Sequence, residues 1–106
     1  MSYGIHPAAK EEYLSSIRWM IQHHYGQRVL SRFIDEMEVG IISIDNNPYD
    51  FPHDPCGRPG WRFYGPTETF RYVIRYIENI RGEPYIMAIN SPYRKPGYWK
   101  SRRAKH

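Results

Sequence analysis

The residues best suited to chemistry lie in the second half of the chain. Arg62, Arg71, Arg75 and Arg94 carry guanidinium groups that can hold phosphate oxygens in a bidentate fork. Tyr98 and Trp99 offer ring faces on which a nucleic-acid base can stack. The Tyr98 hydroxyl or the His106 imidazole can move a proton. Attack of a 2′-OH on a phosphodiester needs a base for that hydroxyl, cations for the phosphate and an acid for the leaving oxygen. Lys95, Lys100 and Arg102 extend the basic set, so the candidate binding surface is Arg62, Arg71, Arg75, Arg94, Lys95, Trp99, Lys100 and Arg102. His53 and Cys56 are two metal-type ligands without two more nearby, and no metal or cofactor is expected.

The stretch 70–102 must position most of these groups. Phe70, Tyr72, Ile74 and Tyr76 alternate with Arg71, Val73 and Arg75, a period of two that predicts a strand with one apolar face. Burying unpaired guanidinium groups is costly, so the arginine face is expected to be open and positively charged. A turn at 79–82 follows, and 85–89, apolar on both faces, predicts a central strand. Ahead of it, Trp61 and Phe63 share one face of a shorter strand, with Arg62 and Tyr64 on the other.

Helical spacing governs the first half. His6-Pro7 places proline at a first helical position, and Leu14, Ile17, Met20 or Ile21, and Tyr25 recur at helical intervals up to a stop at Gly26. Glu11 and Glu12 stand near the helix N-terminus, on the side the dipole favours. His23 and His24 point in different directions, one to the surface and one to the core. In the second helix Leu30, Phe33, Ile34, Met37, Ile41 and Ile44 form one apolar stripe, with Gly40 beside it where the two helices can approach closely. The short link between them predicts an antiparallel helical hairpin. Residues 46–60, rich in proline and turn formers, are a loop anchored by Tyr49 and Phe51, and residues 2–5 predict an edge strand.

Bulk properties narrow the function classes. At 106 residues the expectation is one α+β domain over the whole chain, with 103–106 disordered. No apolar run approaches the ~20 residues of a membrane span, and no signal peptide precedes the first helix. One cysteine, Cys56, cannot form an internal disulfide, which fits a cytoplasmic setting. The net charge of +4 hides an asymmetry: residues 1–50 hold four Lys/Arg against seven Asp/Glu, while 51–106 hold eleven against four. The second half is therefore the half suited to an anionic partner, nucleic acid or acidic protein.

In order and spacing, these pieces resemble the RelE/ParE superfamily of bacterial type II toxin–antitoxin toxins, which includes ParE-like plasmid stabilisation proteins. IHPAAKEEYLSSIRWMIQHHYGQ followed by VLSRFIDEMEVGIISIDNNP is similar to the ParE-type opening. FRYVIRYI resembles the family's strand with alternating aromatic residues, and IMAINSPYRKPGYWKSR its apolar strand and Arg-x-Pro-x-Tyr-Trp-x-x-Arg ending. The resemblance implies a short N-terminal strand and an antiparallel helical hairpin packed on a twisted, mainly antiparallel sheet. It also implies a growth-inhibiting toxin, neutralised by a cognate antitoxin in a hetero-oligomer, with no membrane and no cofactor.

Two activities divide that family. ParE-like members inhibit DNA gyrase; RelE-like members are metal-independent mRNA endonucleases that act on the ribosome. Arg94 matches the arginine that the nucleases carry after the last long strand, and Tyr98 approximates their C-terminal tyrosine, so these two are the catalytic candidates if the chain is an mRNA interferase. Val73 stands where those nucleases place an arginine, and Trp61–Tyr64 holds no counterpart of their lysine pair. The incomplete set favours gyrase inhibition over RNA cleavage. A non-catalytic module binding nucleic acid or an acidic protein is the third reading.

Overall fold

The computed structural model describes residues 3–78, 81–93 and 97–103. The elements run β1 (Gly4–Ile5), α1 (Pro7–Gln22), α2 (Gln27–Asn46), β2 (Arg62–Tyr64), β3 (Val73–Glu78) and β4 (Pro84–Asn90). The strands form one sheet in the order β1-β4-β3-β2. The architecture is α+β, but the sheet is mixed and not mainly antiparallel. β3 pairs antiparallel with β2 and with β4, whereas β1 lies parallel to β4.

α1 begins where the sequence places it. His6 is the N-cap, its Nδ1 accepting the Ala8 N–H at 3.0 Å, with Pro7 next in line. The helix ends at Gln22, short of the stop that Gly26 suggests. His23 is the C-cap, His24 takes the left-handed conformation at φ 58°, and Gly26 instead opens α2 as its N-cap. Both histidines are exposed, so neither is a core position; the His23 ring stacks on Trp19 at 3.9 Å.

The helices cover one face of the sheet. Ala9, Met20, Phe33, Met37 and Ile44 meet Tyr72, Ile74, Tyr76, Ile86 and Ile89 in the main core. Gly40 allows a close approach, though to the sheet and not to the other helix. A Cβ there would stand 2.7 Å from Tyr64 Cε1 and 2.9 Å from Ile74 Cδ1. Phe70 and Tyr72 reach the core as predicted, from a turn ahead of the strand and not from the strand itself.

β4 is buried along its whole length, as an apolar central strand should be. Its faces do not simply alternate. Ile86 and Ile89 face the main core, while Tyr85, Met87 and Ala88 lie in a second cluster on the opposite side. A register shift explains this: Arg75 pairs with Ala88 but the next residue, Tyr76, pairs with Ile86. Met87 is the extra residue of a β-bulge, which resets the phase of the strand.

The second cluster overturns the expectation of an open basic face. Trp61, Tyr85, Met87, Ala88 and Trp99 are all buried there, with Ile77 and Tyr98 packed against them. The loop before β2 and the segment 97–102 close over the sheet from either side. Phe51 anchors that loop in the main core as expected, whereas Tyr49 is exposed. Its stronger anchor is Asp54, buried at the centre of the second face.

Candidate functional site

The predicted cations part company in the structure. Arg75 sits on the second sheet face, its side chain 13% exposed, ion-paired with the fully buried Asp54 carboxylate. Its Nε donates to Asn90 Oδ1 at 2.8 Å, and its guanidinium lies 4.1 Å from the centre of the Trp99 ring. Arg62 is directly opposite Tyr76 in the ladder and so occupies the other face. There it donates to the Phe51 carbonyl at 2.7 Å and pairs with Glu78 at 3.7 Å. Arg62, Arg71 and Arg75 therefore do not converge on one phosphate-binding surface. Arg94 and Lys95, together with His106, lie outside the described residues.

The aromatic and basic residues of 97–102 also turn inward. Trp99 is 2% exposed and cannot stack on a base. Its buried Nε1 has no hydrogen-bond partner among the described residues, so the indole contributes its face, not its N–H. Arg102 forks onto Glu12 through contacts of 2.9 and 3.1 Å and donates to the Met87 carbonyl at 3.0 Å. Tyr98 donates its hydroxyl proton to Glu12 and accepts from Asn90 Nδ2 at 2.9 Å. That hydroxyl is committed on both sides, which removes it as a ready proton donor. Lys100 alone of the 97–102 candidates is exposed.

Glu12 is the hub that sequence reading missed. Besides Arg102 and Tyr98 it accepts the Ile89 N–H at 3.0 Å. β1 covers β4 only at Tyr85 and Ile86, so the Ile89 amide and the Met87 carbonyl would otherwise be open edge groups. Glu12 and Arg102 satisfy both with side chains. On the far edge, Phe63 N–H reaches the Pro52 carbonyl at 3.1 Å and His53 bridges Arg62, so β2 is also partly covered.

Beside Glu12 the structure opens a cleft of about 820 Å³ between α1, the 69–72 turn and the end of β4. α1 supplies Ser16, Trp19 and Met20; Phe70, Arg71 and Tyr72 face them, and Tyr93 stands at the rim. Arg71 belongs here and not on the strand, with φ +60° and an exposed side chain. Arg71 and the adjoining Tyr72 are held by three hydrogen bonds. Arg71 N–H donates to Thr67 O at 3.1 Å, Tyr72 N–H to Thr67 Oγ1 at 3.0 Å, and the Tyr72 hydroxyl to Ser16 Oγ at 2.9 Å. A left-handed arginine costs backbone energy and persists where its surroundings fix it. The only sequence signal for the cleft is Trp19, an aromatic residue off the core-facing positions of α1.

Glu36 on α2 holds the same turn, accepting the Thr69 N–H at 3.1 Å. Partial burial pushes its carboxyl up, but hydrogen bonds from Thr69, Phe70 and Thr67 outweigh this and hold it below the usual carboxylate range. A depressed folded pKa adds stability that is present above the unfolded value and disappears as pH falls through the folded one. Glu36→Gln is expected to cost about 1 kcal/mol near neutral pH and progressively less as the medium is acidified past the carboxyl's depressed pKa. Urea denaturation of both forms across that range checks it; a pH-independent difference would remove the carboxylate from the account. Burial pushes the Tyr76 phenol up to about 12, so it stays a donor, to the Pro48 carbonyl at 2.6 Å.

No family model matches the chain, and no curated protein matches it. Among the described residues no helix is long and apolar enough to cross a membrane.

Proposed function

We propose that this chain is the toxin component of a type II toxin–antitoxin system, acting in the ParE manner by binding and inhibiting DNA gyrase. The reading rests on the sequence resemblance to the RelE/ParE superfamily, on the β-α-α-β-β-β element order and, above all, on the fate of the candidate nuclease groups. Among the described candidates for phosphate binding, proton transfer and base stacking, Arg75, Tyr98 and Trp99 are tied into the second sheet face and the β4 edge, where they stabilise structure, while Arg71 is exposed. A binding toxin needs a firm scaffold and a surface; a nuclease needs free cations and a free proton donor. RelE-like cleavage of ribosome-bound mRNA is the alternative, and it draws on Arg71 and Tyr98 lining one cleft. The cognate antitoxin would be the neutralising partner, in a cytoplasmic complex.

Purified protein incubated with gyrase and supercoiled plasmid, and separately with a translating extract whose mRNA is mapped by primer extension, separates the two. Linear plasmid or lost supercoiling with intact mRNA is the expected result. Codon-phased mRNA cuts that vanish with Arg94→Ala would replace it with the RelE-like reading. Overexpression that leaves growth unaffected, with neither activity present, would sink the toxin assignment itself.

A further inference from the structure

We infer that the segment 97–102 is a strap whose closure is set from the 46–60 loop, through a directed hydrogen-bond chain that runs Asp54–Arg75–Asn90–Tyr98–Glu12. The loop is built around the first member. Asp54 N–H donates to the Trp61 carbonyl at 2.8 Å, and its carboxylate accepts the Cys56 N–H at 2.9 Å. Arg75 pairs with that carboxylate and donates to Asn90 Oδ1. Asn90 Nδ2 donates to the Tyr98 hydroxyl, which donates to Glu12, where Arg102 also ends. Tyr98 and Arg102 both belong to the strap, so it is latched to Glu12 at two points.

The chemistry of the members gives the chain a direction. A guanidinium carries donors only, so Arg75 admits only the oxygen of the Asn90 amide. The amide nitrogen must then face Tyr98, and a phenol that accepts there sends its one proton to the Glu12 carboxylate. Asn90 is the element that can change state. It is 6% exposed, so water is a poor substitute for its partners. Once Arg75 is no longer held by Asp54, the amide is free to turn by half a revolution and offer its oxygen to Tyr98. The phenol then faces two acceptors with one proton, and its bond to Glu12 is no longer enforced. Two discrete arrangements of one group are what coupling between separate places requires.

Arg75 also meets the strap directly, over the face of the Trp99 ring. Both routes start at the same ion pair, so what disturbs the loop at Asp54 loosens the strap. Tyr98 and Glu12 line the cleft beside α1 as well, so the loop acts on the wall of that cleft. None of these contacts depends on the toxin reading, and the presence or absence of growth inhibition leaves the coupling where it stands.

Native-state hydrogen exchange on the full chain tests the coupling, read at the Arg102 amide, which donates to the Trp99 carbonyl inside the strap. Asp54→Asn is expected to speed its exchange about tenfold, within the range for members of one network. In a Tyr98→Phe background, which keeps the ring and removes the hydroxyl, the same substitution should change it about twofold or less, the share left to the Trp99 contact. Asn90→Asp leaves Asp54 and Arg75 in place, still accepts from Arg75 and has no N–H for Tyr98; it too should speed the Arg102 amide. The Phe33 and Met37 amides of α2 follow opening of the whole fold and should exchange more slowly than Arg102 in every variant. An Arg102 amide indifferent to Asp54→Asn or to Asn90→Asp overturns the proposal, as does an acceleration that survives in the Tyr98→Phe background. Arg102 exchange no faster than that of the α2 amides would make strap opening inseparable from unfolding, and overturns it as well.

Discussion

Arg75→Ala is expected to destabilise the fold by about 3–5 kcal/mol, the scale for removing one partner of a buried ion pair. The cost arises mainly at Asp54, whose carboxylate is fully buried and would be left without its guanidinium. The variant also loses the hydrogen bond to Asn90 and the contact over the Trp99 ring, the latter worth about 0.5–2 kcal/mol in desolvated settings. Urea denaturation gives the loss, and a double-mutant cycle with Asp54→Asn gives the coupling. The double variant should recover much of the stability, since a neutral side chain no longer needs the cation. A single-variant loss below about 1 kcal/mol would mean that the carboxylate finds solvent, and the second sheet face would not be closed as described.

Glu12→Ala is the companion case, again expected to cost about 3–5 kcal/mol. Glu12 and Arg102 are only 10% and 14% exposed, and the carboxylate also accepts from the Ile89 amide and the Tyr98 hydroxyl. Its removal strands a guanidinium and opens the β4 edge. Equilibrium denaturation measures the energy; hydrogen exchange locates it, with the Ile89 amide losing protection ahead of the rest of β4. The Glu11–Arg18 pair one residue away provides the contrast. Both its side chains are more than half exposed, so Glu11→Ala should change stability by about 0.5 kcal/mol or less. Equal losses at the two positions would place the Glu12 network at the surface.

These two residues also show how far the sequence carries. Residue types at fixed intervals were legible: the α2 stripe, the apolar β4, the split of Arg62 and Tyr64 from Trp61 and Phe63, and the aromatic face of Tyr72, Ile74 and Tyr76 all reappear in the structure. Periodicity reports which face a residue occupies, and it does so locally. It does not report what arrives from elsewhere to cover that face. Arg75 reads as an exposed cation because its partner lies 21 residues away inside a proline-rich loop. Glu12 reads as a helix-dipole acid because the strand edge that it caps is 77 residues downstream. The Met87 bulge leaves no mark in an unbroken apolar run, and the groove at Trp19 and Arg71 exists only once α1 and the 69–72 turn meet. The net positive charge of the second half was real; its availability to a partner was not fixed by composition.

The cap on β4 has a consequence for synthesis of the chain. Its contacts join residues 12 and 102 across 90 positions, so β4 is complete on its outer edge only after nearly all of the described residues have been made. Translation adds about 5–20 residues per second, and until Arg102 has cleared the ribosome the Met87 carbonyl lacks its side-chain partner, and Glu12 holds the Ile89 amide without the guanidinium that pairs with it. A nascent or prematurely released chain ending before Trp99 would hold both helices and all four strands yet offer a strand edge to any neighbour. Closure of this edge thus waits on Arg102, whose arrival separates a capped strand from an adhesive one.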